Sequence, residues 1–424
     1  MSVPDSMPIA HVSSLLIWTI SIASILCMLV RPRRIAEAYW ACGGAALLIL
    51  TRLIPLPEAM HAAYEGWDVY LFLSGMMILA EIAREEGVFE WVADVAAQHA
   101  KNSPARLFAL IYLVGTVVTA LLSNDATAVV LTPAVLAVVR RAKVDPKPYL
   151  LACAFIANAA SFVFPISNPA NLVVFDQDMP ALVSWLRIFL LPSVASIFAT
   201  FLCLRWLSRK QLRGETHGEA ERVRLTAEGK LALVGLAIAA VALISSSALG
   251  LSLGAPTCVA ALLAMAVVTW RNPSIPLRVA KGVSWSVLPL VAGLFVIVEA
   301  LQNAGLQRLG LAGLRALAET AGWLAKGAAA FVVALLSNGM NNLPVALMGG
   351  AAIRHAQEAS LVAHAMLIGV DLGPNLSVTG SLATILWLIA LRRERVEITA
   401  WEFFRIGVIA MPIALIASLL FLWN

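Results

Sequence analysis

Two aspartates, Asp125 and Asp371, lie inside long apolar runs, and the segments that hold them contain no Lys or Arg. Asp125 sits in SNDAT (123–127) and Asp371 opens DLGPNLSVTGS (371–381). Two further polar interruptions are FPISNPAN (164–171) and SNGMNN (337–342). An unpaired carboxylate in an apolar interior is costly to keep charged. A carboxyl that loses its proton on one side and regains it on the other is what proton coupling needs. Asp125 and Asp371 are therefore the expected proton-coupling residues. Ser123, Asn124, Thr127, Ser167, Asn168, Asn171, Ser337, Asn338, Asn341, Asn342 and Thr379 add hydrogen-bond donors and acceptors without charge.

The breaks have a covalent cause. Pro165, Pro169, Gly373, Pro374 and Gly380 interrupt helices, because proline lacks an amide donor and clashes with the preceding turn. A broken helix exposes amides at one end and carbonyls at the other, with opposite partial charges. Four such breaks are expected to form one polar substrate-binding pocket, with Gly373 and Pro374 in its wall. Capping is the competing reading, since Ser, Asn and Asp are ordinary helix caps. Asp125 then caps the second arm of its break, and Asp371 makes a tertiary hydrogen bond. Both roles are compatible, because the same groups cap a half-helix when the pocket is empty.

The elements that position these residues must cross a membrane. Of 424 residues, 61% are hydrophobic and only 13% are charged, with mean hydropathy +0.87. That is about half the charge of an average soluble domain. It excludes a soluble enzyme, a nucleic-acid-binding domain and a disordered chain. Spanning runs fall near 9–30, 39–56, 67–84, 147–175, 184–207, 230–249, 254–271, 284–301, 360–391 and 400–422. Two more apolar stretches, 104–140 and 322–354, carry polar centres at SND (123–125) and SNG (337–339). Each reads as two spans or as one re-entrant hairpin, and the polar tips favour hairpins that stop near the midplane. With the N-terminus outside, 24 of the 30 Lys and Arg face the cytoplasm. The positive-inside rule therefore places both termini outside, in a multi-pass protein of the inner (plasma) membrane. The N-terminal run has no basic start and reads as a retained helix rather than a signal peptide. The segment 87–101 reads as an amphipathic interfacial helix, with 306–319 as its counterpart.

The two halves repeat. Trp67, Val69, Gly75, Glu81 and Gly87 match Trp285, Val287, Gly293, Glu299 and Gly305 at an offset of 218. ALLSN at 120–124 recurs at 334–338, and Asn158 and Ala170 align with Asp371 and Ala383. The expected fold is all-α: an inverted repeat of two five-span units, ten transmembrane helices plus two re-entrant hairpins, with broken helices at the midplane. The first unit is 1–207, the cytoplasmic linker 208–229, and the second unit 230–424. Inverted repeats with midplane breaks are a secondary-transporter architecture. Glu81 and Glu299, equivalent by symmetry, read as structural. Arg52 reads as snorkelling at the end of its span. Five scattered cysteines suggest neither a disulfide framework nor a zinc site. No metal or cofactor is expected.

At these motifs the chain resembles the ArsB family of arsenical pump membrane proteins, in the ion-transporter superfamily. The resemblance rests on SNDATAVVLTPAVLA (123–137), SNGMNNLPVALMGG (337–350), DLGPNLSVTGSLATILWL (371–388) and the WEFFRIG start of the last helix. It implies efflux of arsenite or antimonite driven by the proton gradient. Asn124, Asp125, Asn341, Asn342, Asp371, Gly373 and Pro374 stand on family motif positions. Two positions depart. Val370 stands where many members carry a Cys before DLGP, and Pro169 stands where an apolar residue is expected. Neutral As(OH)3 suits a pocket of Asn, Ser and Thr without thiolates. The partners implied are arsenite or antimonite, protons and the lipid bilayer. A cytoplasmic arsenical pump ATPase and a homodimer stay open, and no nucleic acid is expected. The runner-up is a sodium/proton antiporter. A citrate or dicarboxylate carrier fits less well, because no Arg lies in the pocket segments. A passive channel would need no coupling acid. No HExxH, GxSxG or Walker motif points to an enzyme.

Overall fold

The computed structural model describes residues 7–175, 179–215, 224–306, 308, 312, 322–353 and 360–422. Among them the regular structure is helical. The elements are α1 (Met7–Val30), α2 (Glu37–Leu50), α3 (Leu56–Glu65), α4 (Trp67–Glu85), α5 (Val88–His99), α6 (Pro104–Leu121), α7 (Thr132–Arg141), α8 (Lys147–Ala159), α9 (Pro169–Phe175) and α10 (Leu182–Leu207). There follow α11 (Ala227–Ala248), α12 (Gly254–Arg271), α13 (Ile275–Gly282), α14 (Val287–Asn303), α15 (Gly322–Met340), α16 (Asn342–Ile353), α17 (Ser360–Leu372), α18 (Leu382–Arg393) and α19 (Ala400–Leu420).

Six of these helices are long and apolar enough to cross a membrane. Two bent pairs, α3 with α4 and α13 with α14, bring the number to eight. Their outward faces are apolar, as at Leu190, Phe198, Ile238, Leu262, Val332 and Ile416. Exposed apolar surface on this scale marks contact with lipid. The expected long runs 147–175 and 360–391 are each broken into shorter helices. The 13 residues of α8 reach only about 20 Å, short of the hydrocarbon thickness. The break falls at Pro165–Ser167 in the first run and at Gly373–Asn375 in the second.

The two hairpin stretches differ in detail. In the first, α6 ends at Leu121, and a wide π-type turn over Ala126–Leu131 precedes α7. Pro133 follows directly, so the carbonyl four residues back has no amide to receive. A wide turn accommodates that loss, and the Thr132 hydroxyl donates to the Thr127 carbonyl at 3.2 Å. In the second stretch the expected tip at Ser337–Gly339 is not a break. Helix α15 continues through these residues to Met340, and the chain turns at Asn341, with φ +74°. Asn tolerates the left-handed region better than most side chains, and Gly339 meets no steric demand there. The segment α5 is an amphipathic helix packed through Val88, Phe89, Ala93 and Ala96. Its expected counterpart, 306–319, lies largely outside the described residues.

The helices pack in two groups. One joins α1–α4 with α11–α14, chiefly through α4 on α12 and α14 on α2. The other joins α6–α10 with α15–α19, chiefly through α10 on α19, α15 on α17, α6 on α8 and α9 on α16. The first group closes through glycines. A Cβ on Gly75 of α4 would lie 2.7 Å from the Thr257 carbonyl of α12. A Cβ on Gly293 of α14 would lie 2.8 Å from the Ala41 backbone of α2. Helices that approach this closely gain dispersion contact along their backbones, the main packing force in lipid. The second group is tied across one end by ion pairs. Arg140 reaches Glu394 at 3.1 Å and Lys147 reaches Glu402 at 2.6 Å. On the same face Arg141 binds Asp94 of α5, and Arg278 of α13 reaches Glu85 of α4, so this face, shared by both groups, is basic.

This packing predicts a contrast between glycines. Gly75→Ala and Gly293→Ala should lower the melting temperature of the purified protein by several degrees, about 1–3 kcal/mol of overpacking each. Gly43→Ala, with open space around it, should leave it equal or raised. Thermal unfolding in detergent, followed by size-exclusion chromatography, distinguishes the two outcomes.

Candidate functional site

The four breaks first have to satisfy their own backbones. At the first, the Ser123 hydroxyl accepts from the Ala126 amide at 3.1 Å, and Asn124 Oδ1 accepts from the Asp125 amide at 2.9 Å. Thr127 turns inward and bonds Thr119 of α6 at 2.8 Å, joining the two arms. At the second, Asn171 Nδ2 donates to the Ser161 carbonyl at 2.9 Å and to the Pro165 carbonyl at 3.3 Å. Ser167 donates to the Ala120 carbonyl at 2.9 Å, tying the second break to the end of α6. Asn168 caps α9, its Oδ1 accepting from the Ala170 amide at 3.0 Å.

The second half is stitched in the same way. Asn338 Nδ2 donates to the Ala334 carbonyl at 2.7 Å and to the Gly373 carbonyl at 2.9 Å, and its Oδ1 accepts from Ser377 at 2.7 Å. Thr379 donates to the Asn338 carbonyl at 3.1 Å. The Asn342 amide donates to the Gly380 carbonyl at 2.8 Å. Ser337 bonds only within its own helix, to the Val333 carbonyl at 3.0 Å. Ser381 caps α18, accepting from the Ala383 amide at 3.2 Å. Among the bonds that cross between the halves, two join side chains of this region. Asn168 Nδ2 donates to Asp371 Oδ1 at 2.6 Å, and Asn158 Nδ2 donates to Asn375 Oδ1 at 3.0 Å.

One cleft receives what remains. Its polar wall is Asn124, Asp125, Asn168, Asn341, Asn342 and Ser381, set among apolar side chains such as Met28, Leu73, Leu290 and Leu294. Each polar member stands at the start of a helical segment: the π-type turn, α9, α16 or α18. The cleft therefore receives the positive end of several helix dipoles. Glu37 lies at the end toward the basic face, ion-paired with Arg31. No Lys, Arg or Cys is among the described lining residues. The arrangement suits a small uncharged ligand rich in hydroxyl groups, with one carboxyl, Asp125, beside it.

The residues expected at the site thus divide. Asn124, Asp125, Asn168, Asn341 and Asn342 line the cleft, and Ser123 lines a neighbouring one. Thr127, Ser167, Asn171, Ser337, Asn338, Gly373, Pro374 and Thr379 lie behind the wall. Gly373 is there because a Cβ would come 2.6 Å from the Ala334 carbonyl. Asp371 is also behind the wall, fully buried, with Oδ2 unpartnered. It meets the cleft only through Asn168. Sequence reasoning missed Ser381 and Asn375. Ser381 stands 213 residues after Asn168, directly before an apolar helix, and that spacing and cap position were a usable signal. Asn375 lies four residues after Asp371, and its bond to Asn158 is visible only in three dimensions.

Comparison with known proteins agrees with this geometry. Residues 15–370 match the family described as citrate transporter, CitMHS. The arsenical pump membrane protein of Escherichia coli strain K12 is 29% identical over 408 residues, covering 93% of this chain and 95% of that protein. An uncharacterized transporter of Mycobacterium tuberculosis strain H37Rv is 28% identical over 430 residues, with the same coverage. Among solved structures, the YdaH transporter of Alcanivorax borkumensis matches with a TM-score of 0.57 at 12% identity, covering 97% of both chains. That likeness concerns the fold. The chain therefore belongs to the CitMHS family and is a multi-pass membrane transporter.

Proposed function

We propose that the protein is a secondary active transporter that exports arsenite or antimonite, as As(OH)3 or Sb(OH)3, in exchange for protons. The observation that carries this reading is the cleft wall: four asparagine amides, one serine and the Asp125 carboxyl, with Glu37 paired to Arg31 and no cation among the described lining residues. As(OH)3 is uncharged near neutral pH and offers three hydroxyls. Amides and helix-start N–H groups bond it without the tight thiolate bonds that would slow release. The family description names citrate, but a tricarboxylate needs cationic partners, and here it would face Asp125 instead. A sodium/proton antiporter is the second reading, because Asp125 and nearby carbonyls are oxygen donors.

The architecture is read as two five-span units of opposite orientation, 1–207 and 230–424, with both termini outside. The matched close approaches of Gly75 and Gly293 support it, as do the matched caps Asn168 and Ser381. The basic face is then cytoplasmic. That the cleft includes Glu37 of α2 supports loading of the substrate from inside. Asp125 exchanges the proton, and Asp371 holds Asn168 in the orientation that presents it to the ligand. Binding of As(OH)3 and protonation of Asp125 favour opposite-facing states, which gives exchange.

In everted vesicles, arsenite uptake should follow an imposed pH gradient and collapse with an uncoupler, while Na+ should leave it unchanged. Uptake indifferent to the gradient overturns the antiport reading, and a Na+ requirement favours the second reading. Asp125→Asn should abolish gradient dependence. Asn341→Ala, Asn342→Ala and Asp371→Asn should each weaken arsenite binding by roughly tenfold, the loss of about one hydrogen bond. Binding by isothermal titration checks this. A variant with Cys27, Cys42, Cys153, Cys203 and Cys258 replaced by Ala should still transport. Its loss of transport with retained fold would place a thiol on the path.

A further inference from the structure

Glu81 is a buried carboxylate, 6% exposed, that the exchange cycle above leaves unused. It lies at the end of a second cleft. This cleft shares Leu73, Asp125, Pro169, Val287 and Leu382 with the first, so the two meet at Asp125. From there it diverges between α4 and the π-type turn, past Met76, Ala80, Val129 and Val130, and ends at Glu81, Gly282 and Ser284. The described wall of the second cleft holds no amide side chain. A polyhydroxyl ligand would leave most of its hydrogen bonds unmade there, which burial away from water disfavours. A proton carried along a file of water molecules meets no such cost.

The end of this cleft is built to hold a carboxylate. A Cβ on Gly282 would overlap Glu81 Oε1, so glycine leaves that space to the acid. Arg84 binds both Glu81 oxygens, with Nε to Oε2 at 2.8 Å, and also binds Glu85. Arg278 of α13 reaches Glu85 at 3.2 Å. Glu90 of α5 faces Arg84, and Glu86 faces Arg278, Asn272 and Glu228 of α11. Lys281, beside Gly282, is exposed. Glu81, Glu85, Glu86 and Glu90 thus surround two arginines. Burial raises the Glu86 and Glu90 carboxyls above their ordinary range, and Glu86 Oε1 has no partner. Two arginines therefore do not neutralise the four carboxyls at this end.

We infer that the second cleft is the proton route between Asp125 and the basic face, with Glu81 as its terminal relay, while the first cleft carries the substrate. The inference rests on the proton-exchange reading. Asp125 passes its proton to water in the cleft, and that water protonates the Glu81 carboxylate. Protonation loosens Glu81 from Arg84, which keeps Glu85, and Glu81 then releases the proton to bulk water.

The test uses the full-length protein in proteoliposomes, with arsenite flux and internal pH followed together. Wild type must first show flux driven by the pH gradient. Its absence overturns the proton-exchange reading itself, and this inference with it. Glu81→Gln should slow proton-coupled exchange by about tenfold or more and shift its pH profile. Equilibrium arsenite binding should be unchanged, and added formate should restore the flux. A coupled wild type together with a Glu81→Gln variant of wild-type rate and profile overturns the inference, and so does a slow variant that formate does not rescue. Val129→Phe narrows the second cleft without touching the Glu81–Arg84 pair, and answers the question if Glu81→Gln does not fold. Slowed exchange with unchanged binding supports the route, and wild-type exchange through the narrowed cleft overturns it.

Discussion

An unpaired backbone amide or carbonyl in hydrocarbon costs several kcal/mol, and the rest of this structure depends on that constraint. Four helical runs are interrupted deep in the fold, and every interruption frees backbone groups that lipid cannot satisfy. The chain answers with short polar side chains. Asn171 returns to carbonyls of its own break, Ser167 reaches the end of α6, and Asn338 bridges α15 to Gly373. Only after these bonds are made do a few amides and one carboxyl remain unengaged. The cleft consists of those remaining groups.

The same constraint explains why capping and binding are not rival roles. Asn168 caps α9 with its oxygen and holds Asp371 with its nitrogen, and it still borders the cleft. A side chain with one acceptor and two donors can serve both tasks. Asp371 lies buried behind the wall, bonded to Asn168. Asp125, on the wall itself, borders both the first cleft and the second.

Much of the fold was legible before any coordinates. Apolar runs located nearly all the long helices, and 254–271 coincides with α12 at both ends. Prolines located the breaks in the runs 147–175 and 360–391, because a missing amide acts wherever the residue stands. The second hairpin was misplaced by a few residues. Ser337, Asn338 and Gly339 are weak helix formers, but neighbouring helices hold α15 together through them. The turn falls instead at Asn341, where an unusual φ is tolerated.

The sequence by itself determined the solvent, the helical class, the basic face and the polar breaks. These follow from composition, period and proline chemistry, which act locally. Only the tertiary structure decided which polar residues border the cleft and which bond each other. That choice depends on bonds such as Asn158 to Asn375 and Asn168 to Asp371, between residues more than 200 positions apart. No local pattern encodes such a bond, because both partners look like ordinary polar residues in apolar helices until packing brings them together.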